Sequence, residues 1–176
     1  MQTELEKTFG PITTLKGQNF ILPNLSRALH TPYTITHVFS HAQFFPQVSN
    51  TFIVTYNDKL SMNQLEQLIA PKQYSDVPLE LLTLSACETA KGNERAALGL
   101  AGIAYKAGAR SAVATLWSVR EDVVYHLFKR FYQEFGEKQQ PKAQAMQQAQ
   151  LMLLRKYPSW QHPHYWAAFL LIGHWL

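Results

Sequence analysis

Two short apolar runs in this chain each stop abruptly at a residue that can do chemistry. Tyr33-Thr34-Ile35-Thr36-His37-Val38-Phe39-Ser40 ends at His41, and Leu81-Leu82-Thr83-Leu84-Ser85-Ala86 ends at Cys87, the only cysteine. Short β-rich runs closed by a polar break read as buried strands with their carboxyl ends at a loop. In open α/β sheets, ligands and reactions gather at those carboxyl ends. One thiol and one imidazole delivered to the same edge are the minimum set for nucleophilic cysteine catalysis.

The other segments alternate between strand and helix signals. Pro11–Lys16 reads as a short strand and Pro23–Leu29 as a helix, with Pro23 in its first turn. Thr51–Thr55 is β-rich and is followed by a turn at Asn57-Asp58. Ser61 then caps a helix that runs through Ile69 and is halted by Pro71. After the run at 80–86 comes a helix over roughly 94–107, carrying Gly99, Gly102 and Ala104 and closed by Gly108. Ser111–Leu116 reads as a strand. Val124, Leu127, Phe128, Phe131 and Phe135 form one helical stripe. Ala145, Met146, Ala149, Met152 and Leu153 form another, in a helix opened by Pro141. Tyr165–Ile172 reads as a last strand, broken by Gly173. Strands alternating with helices imply an α/β domain with a mostly parallel sheet.

Composition removes several function classes. The chain has 176 residues, 47% of them apolar and only 16% charged, which suits one compact domain spanning 1–176. The net charge of +4 comes from scattered Lys and Arg without a basic block, so nucleic-acid binding is unsupported. The polar start Met-Gln-Thr-Glu-Leu-Glu-Lys reads as no targeting signal, and no apolar stretch reaches the ~20 residues of a membrane span. A single unpaired cysteine fits a reducing, cytoplasmic setting. His37 lies four residues before His41, but along a strand that separation exceeds ~12 Å, so the two do not read as a metal pair. His162, His164 and His174 lack a cysteine or carboxylate at ligand spacing, so no metal site is expected there.

The segments Ser40-His41-Ala42-Gln43-Phe44 and Leu84-Ser85-Ala86-Cys87-Glu88-Thr89-Ala90-Lys91-Gly92 resemble the two active-site segments of the CHAT domain. This is a caspase-like family often found beside tetratricopeptide repeats in bacteria. Further matches follow in order: Ala97 to Gly102, Ala107 to Ser111, Thr115 to Val119, and His162 to Phe169 with Leu171 to Leu176. The resemblance covers roughly residues 10–176. It implies a caspase-type three-layer α/β/α sandwich, with Cys87 as nucleophile and His41 as general base. The backbone amides of Ala42 and Cys87 would form the oxyanion hole. Glu88, Trp117, Glu121 and Asp122 are the candidates for the substrate pocket. The implied activity is regulated endopeptidase cleavage of a protein or peptide, without cofactor or metal. A tetratricopeptide-repeat protein is the implied kind of regulatory partner. The 46 residues between His41 and Cys87 lie close to the ~50 of caspases, although the caspase Gln-Ala-Cys signature is absent.

Three features depart from the family pattern. Glycine usually follows the histidine, where this chain has Ala42. If that position needs positive φ, alanine costs about 1–3 kcal/mol there, and a mis-aimed oxyanion donor lowers turnover about 10²–10³-fold. After Leu116-Trp117 the chain has Arg120 beside Glu121 and Asp122, so a cation sits against the acidic pair that would favour a basic P1 side chain. Relatives commonly carry another strand and helix before the segment matching Pro11–Lys16. The expected domain is therefore N-terminally short, lacking the first strand and leaving a sheet edge open. The rival to the peptidase reading is a catalytically weak or inactive module that keeps the fold for protein–protein interaction or signalling.

Overall fold

The computed structural model describes residues 2–43, 45, 47–70, 76–86, 102, 105 and 108–176. The fold class read from the sequence is the one observed, mixed α/β with a mostly parallel central sheet. In chain order the elements are α1 (Gln2–Phe9), α2 (Leu22–His30), β1 (Ile35–Ser40), β2 (Ala42–Gln43), β3 (Phe52–Val54), β4 (Lys59–Ser61) and α3 (Met62–Ile69). These are followed by β5 (Leu81–Ala86), β6 (Ser111–Thr115), α4 (Glu121–Tyr132), α5 (Lys142–Lys156), α6 (Pro163–Trp166) and β7 (Phe169–Gly173). Two compact units divide them. One comprises Met1–Thr14, Val119–Leu171 and Trp175–Leu176, and the other Leu15–Ser118 and Ile172–His174.

The second unit holds the chemistry-bearing strands. Among the described residues its main sheet runs β1-β5-β6-β7, with β1 at the edge. β1 and β6 both pair parallel with β5. Leu82 and Leu84 of β5, Val38 of β1, and Ala112 and Ala114 of β6 are all buried and share one face. They pack with Leu25 and Leu29 of α2 and Leu65 and Ile69 of α3. A second, antiparallel sheet, β2-β3-β4, grows directly out of β1. Its turn is closed where both the N–H and the hydroxyl of Thr55 donate to the Asp58 carbonyl, at 2.9 and 2.8 Å. α3 starts with the expected cap. The Gln64 N–H donates to Ser61 Oγ (3.2 Å) and the Ser61 N–H donates to Gln64 Oε1 (2.8 Å), a reciprocal pair that satisfies two otherwise orphaned amides.

In the first unit the two helical stripes are realised as α4 and α5. Val124, Leu127, Phe128 and Phe131 of α4 and Ala145, Met146, Ala149 and Leu153 of α5 are all buried. α4 continues into a π-helical turn, Gln133–Glu137, in which the buried Glu134 carboxylate receives Arg130 (2.5 Å) and Lys138 (2.8 Å).

Two sequence expectations are corrected. Pro11–Lys16 is not a strand. Its apolar residues, Ile12 and Leu15, are three apart, which gives no two-residue period, and Leu15 alone packs on the core of the second unit. The last strand does not begin at Tyr165: Pro163–Trp166 is a helical turn and β7 starts at Phe169. His162 and Pro163 are the cause. The His162 ring accepts from the His164 N–H (3.2 Å), and Pro163 suits a first helical turn. Most of the expected helix over 94–107, and Pro71, lie outside the described residues. Gly108 has φ +103, as a closing glycine should, and its N–H donates to the Tyr105 carbonyl (3.0 Å).

Gly173 ends β7 with φ +97, and an added Cβ would fall against the Arg110 carbonyl. The His174 N–H donates to that same carbonyl (2.8 Å), and Ser111 Oγ donates to the His174 carbonyl (2.7 Å). Gly173→Ala should therefore lower stability by about 2–4 kcal/mol, from backbone strain plus the collision. Urea denaturation checks this, and an unchanged midpoint would contradict the close approach.

Candidate functional site

The site is built on the pairing of β1 with β5. Ile35 lies opposite Leu81, Val38 opposite Leu84, and Ser40 opposite Ala86. His41 is the residue after Ser40, and Cys87 is the residue after Ala86. Ala86 and Ser40 therefore bring the two chains to the carboxyl edge at the same height, on strands about 4.8 Å apart. Cys87 itself and Glu88 lie outside the described residues. β6 obeys a similar rule: Leu84 is opposite Ala114, and Trp117, half-buried, follows β6 by two residues. His41 and Trp117 thus follow strands of one parallel sheet at one edge, and Ala86, the residue before Cys87, ends the strand between them.

His41 is exposed, and Val54 of β3 holds the chain at His41 and at Ser40 just before it. The Val54 N–H donates to the His41 carbonyl (2.8 Å), and Ser40 Oγ donates to the Val54 carbonyl (2.6 Å). The first of these bonds also fixes the neighbour. With Val54 bonded to His41, the facing residues Ala42 and Ile53 form a non-hydrogen-bonded antiparallel pair. The Ala42 N–H therefore points away from β3. The Thr34 carbonyl accepts from the Leu81 N–H (3.1 Å), so even-numbered residues of β1 turn their backbone groups toward β5. Ala42 continues that alternation.

The strain anticipated at Ala42 is absent. Among the described non-glycine residues only Gln139 has positive φ, so Ala42 sits in ordinary extended backbone. Its methyl is 1% exposed and belongs to the core with Val38 and Ile53. Alanine here fills space without distorting the chain.

Below the edge, on the face opposite the aliphatic core, lies a polar row. Thr83, Ser85 and Thr115 are buried there, and the His37 ring hydrogen-bonds Ser85 Oγ through Nε2. His37 retains some surface, but desolvation of its ring pushes its pKa down to about 4. Thr115 Oγ1 finds no hydrogen-bond partner among the described residues. Sequence reading placed His37 as a core or interface histidine but did not find Ser85, its partner. The signal was present, since a register that levels His41 with Cys87 also sets His37 opposite Thr83, one same-face step from Ser85.

Glu121 and Asp122 belong to the first unit, in the opening turn of α4. Arg120 grips Asp122 with two bonds, Nε to Oδ1 (3.1 Å) and Nη2 to Oδ2 (2.7 Å), and the Val123 N–H donates to Oδ1 (2.9 Å). The Arg120 hydrogen bond holds the Asp122 carboxyl below the usual carboxylate range. That acidic group already has its cation. Arg110 is paired with Glu80 (2.6 Å).

Two outcomes follow from this geometry. A histidine with a folded pKa near 4 and an unfolded value of 6.5 binds more protons when unfolded, so stability rises with pH between those values. Stability should be greatest above pH 6.5 and should fall by on the order of 2–3 kcal/mol as pH drops toward 4. His37→Gln should lack this component when urea midpoints are compared across that window. Ala42→Gly should cost about 1–2 kcal/mol, from a lost buried methyl and a looser strand. It should bring no gain in Cys87 reactivity toward iodoacetamide; a faster reaction would mean that alanine does distort the edge.

No curated protein matches the chain. A family model described as the CHAT domain matches residues 3–174, so this chain belongs to the CHAT domain family, which is related to the caspase-like peptidases.

Proposed function

We propose that this chain is a caspase-like cysteine endopeptidase domain acting on a protein or peptide through a His41–Cys87 dyad. The observation that carries the reading is the level pairing of Ser40 with Ala86, which brings the two chains to one carboxyl edge on adjacent strands. An imidazolium beside a thiol lowers its pKa from about 8.5 and raises the thiolate fraction at neutral pH. The thiolate adds to the scissile carbonyl carbon, and the C=O π electrons move onto oxygen. The Ala42 N–H, turned away from β3, and the Cys87 N–H are the donors for that oxyanion. His41 then gives its proton to the departing nitrogen, the C–N bond breaks, and a thioester remains. Water, deprotonated by His41, attacks the thioester and regenerates the thiol.

This chemistry uses sulfur, imidazole and backbone amides, and requires no metal or cofactor. Trp117, at the same edge, is the apolar wall of the proposed substrate pocket, and Glu88 follows the nucleophile. Because Asp122 is committed to Arg120, the reading draws no basic P1 preference from it. A reducing, cytoplasmic setting and control by a protein partner of the tetratricopeptide-repeat kind belong to the same proposal.

The test uses a mixed-sequence peptide library and iodoacetamide on the full chain. Cleavage should fall about 10³-fold or more in both Cys87→Ala and His41→Ala. Alkylation of Cys87 should be rapid, pH-dependent and slowed by His41→Ala. If no peptide is cut and labelling is slow and indifferent to His41→Ala, the peptidase reading fails and a docking module remains.

A further inference from the structure

We propose that His37 and Ser85 are positioning residues of this reaction: their hydrogen bond ties β1 to β5 just below the edge and holds the two strand ends at a common height. The inference rests on the peptidase reading and adds to it the device that keeps the dyad aligned.

The residue directly opposite His37 is Thr83, yet the ring bonds Ser85, two residues nearer the carboxyl edge. The contact is therefore diagonal, and it resists sliding of one strand along the other in a way that a straight-across contact does not. Ser85 is fully buried in a strand whose other residues include Leu81, Leu82 and Leu84. A hydroxyl adds nothing to such packing and requires a partner once water is gone. His37 is that partner.

Aliphatic packing alone cannot do this work. The core fixes the register in whole steps, because a one-residue slip would turn Val38 and Leu84 off the buried face. It is far less sensitive to displacements of a fraction of an ångström, since dispersion contacts are numerous and undirected. A hydrogen bond is short and directional. Catalysis is sensitive on that finer scale, where a misplacement of ~1 Å can cost about 10²-fold. The Val54 bonds secure His41 against β3, and the His37–Ser85 bond secures β1 against β5. Desolvation keeps the His37 ring neutral, so the tie brings no second charge beneath the edge.

The experiment follows the iodoacetamide rate of Cys87 against pH, with urea denaturation alongside, in the full chain. Ser85→Ala should move the midpoint of the pH profile up toward ~8.5 and slow alkylation at pH 7 about tenfold. Ser85→Thr should restore both. The double variant His37→Leu/Ser85→Ala, which replaces both polar partners with apolar groups, should regain much of the stability lost in Ser85→Ala while alkylation stays slow. If the double variant recovers rate as well as stability, or if Ser85→Ala leaves the native profile unmoved, the pair is only structural and the inference is wrong. In either case His41→Ala still slows the native reaction. A native chain that alkylates as an ordinary thiol, with or without His41, would instead remove the peptidase reading and this inference together.

Discussion

The rest of this molecule's candidate chemistry depends on the register of β1 against β5. Parallel strands have no hairpin to set their alignment, so side-chain burial has to do it. Val38 and Leu84 lie opposite one another on the buried face, between α2 and α3 residues, and Ala42 and Ile53 extend that core into the second sheet. Any odd slip would put Thr83 or Ser85 into the aliphatic layer and Leu84 on the polar face. The hydrophobic effect, at roughly 25 cal/mol per Å² of buried apolar surface, makes that alternative costly. Packing therefore sets the whole-residue register that makes Ser40 level with Ala86.

Much of this was legible in the residues. The runs at 34–40 and 80–86, the Ser61 cap and the stripes of α4 and α5 are dense local signals, with periodicity and punctuation in agreement. The segments that misled were short or mixed. Pro11–Lys16 has β-prone residues but no alternating face. Tyr165–Ile172 has a strand composition whose first half is captured by the Pro163 turn. The spacing of 46 residues, read only as a resemblance to caspases, was also the register offset itself. Carried one step further, the parallel pairing expected of the two runs yields the His37–Ser85 contact. What sequence could not supply was the direction of the Ala42 amide. That direction follows from which carbonyl Val54 bonds, a contact between residues more than ten positions apart.

Ala42 shows why a departure from a family pattern has to be judged on backbone geometry. Glycine after the histidine suggests a need for positive φ, and on that view alanine would strain the oxyanion donor. Here the residue is extended, its methyl is buried, and its N–H turns from β3 by the ordinary alternation of a strand. Alanine trades backbone freedom for core volume at a position that does not use that freedom. The Arg120–Asp122 pair carries the complementary lesson. A carboxylate that sequence alone offers to a substrate already holds a guanidinium by two hydrogen bonds, and it also accepts the Val123 amide at the start of α4.

His37 in β1 and His41 just past its end put one residue type in two physical environments. His37 and His41 stand on the same face of the chain, about 13 Å apart at strand rise. The sequence singles out His41 by its place at the end of the run and leaves the surroundings of His37 open. Burial separates the two: His37 is desolvated and hydrogen-bonded to Ser85, which confines it to its neutral form above about pH 4. A group confined to one protonation state makes a dependable strut and a poor proton carrier. His41, past the last residue paired with β5, is exposed, and its backbone is tethered to Val54. The change from a desolvated ring to an exposed residue takes four residues, and it occurs where the strand leaves the sheet.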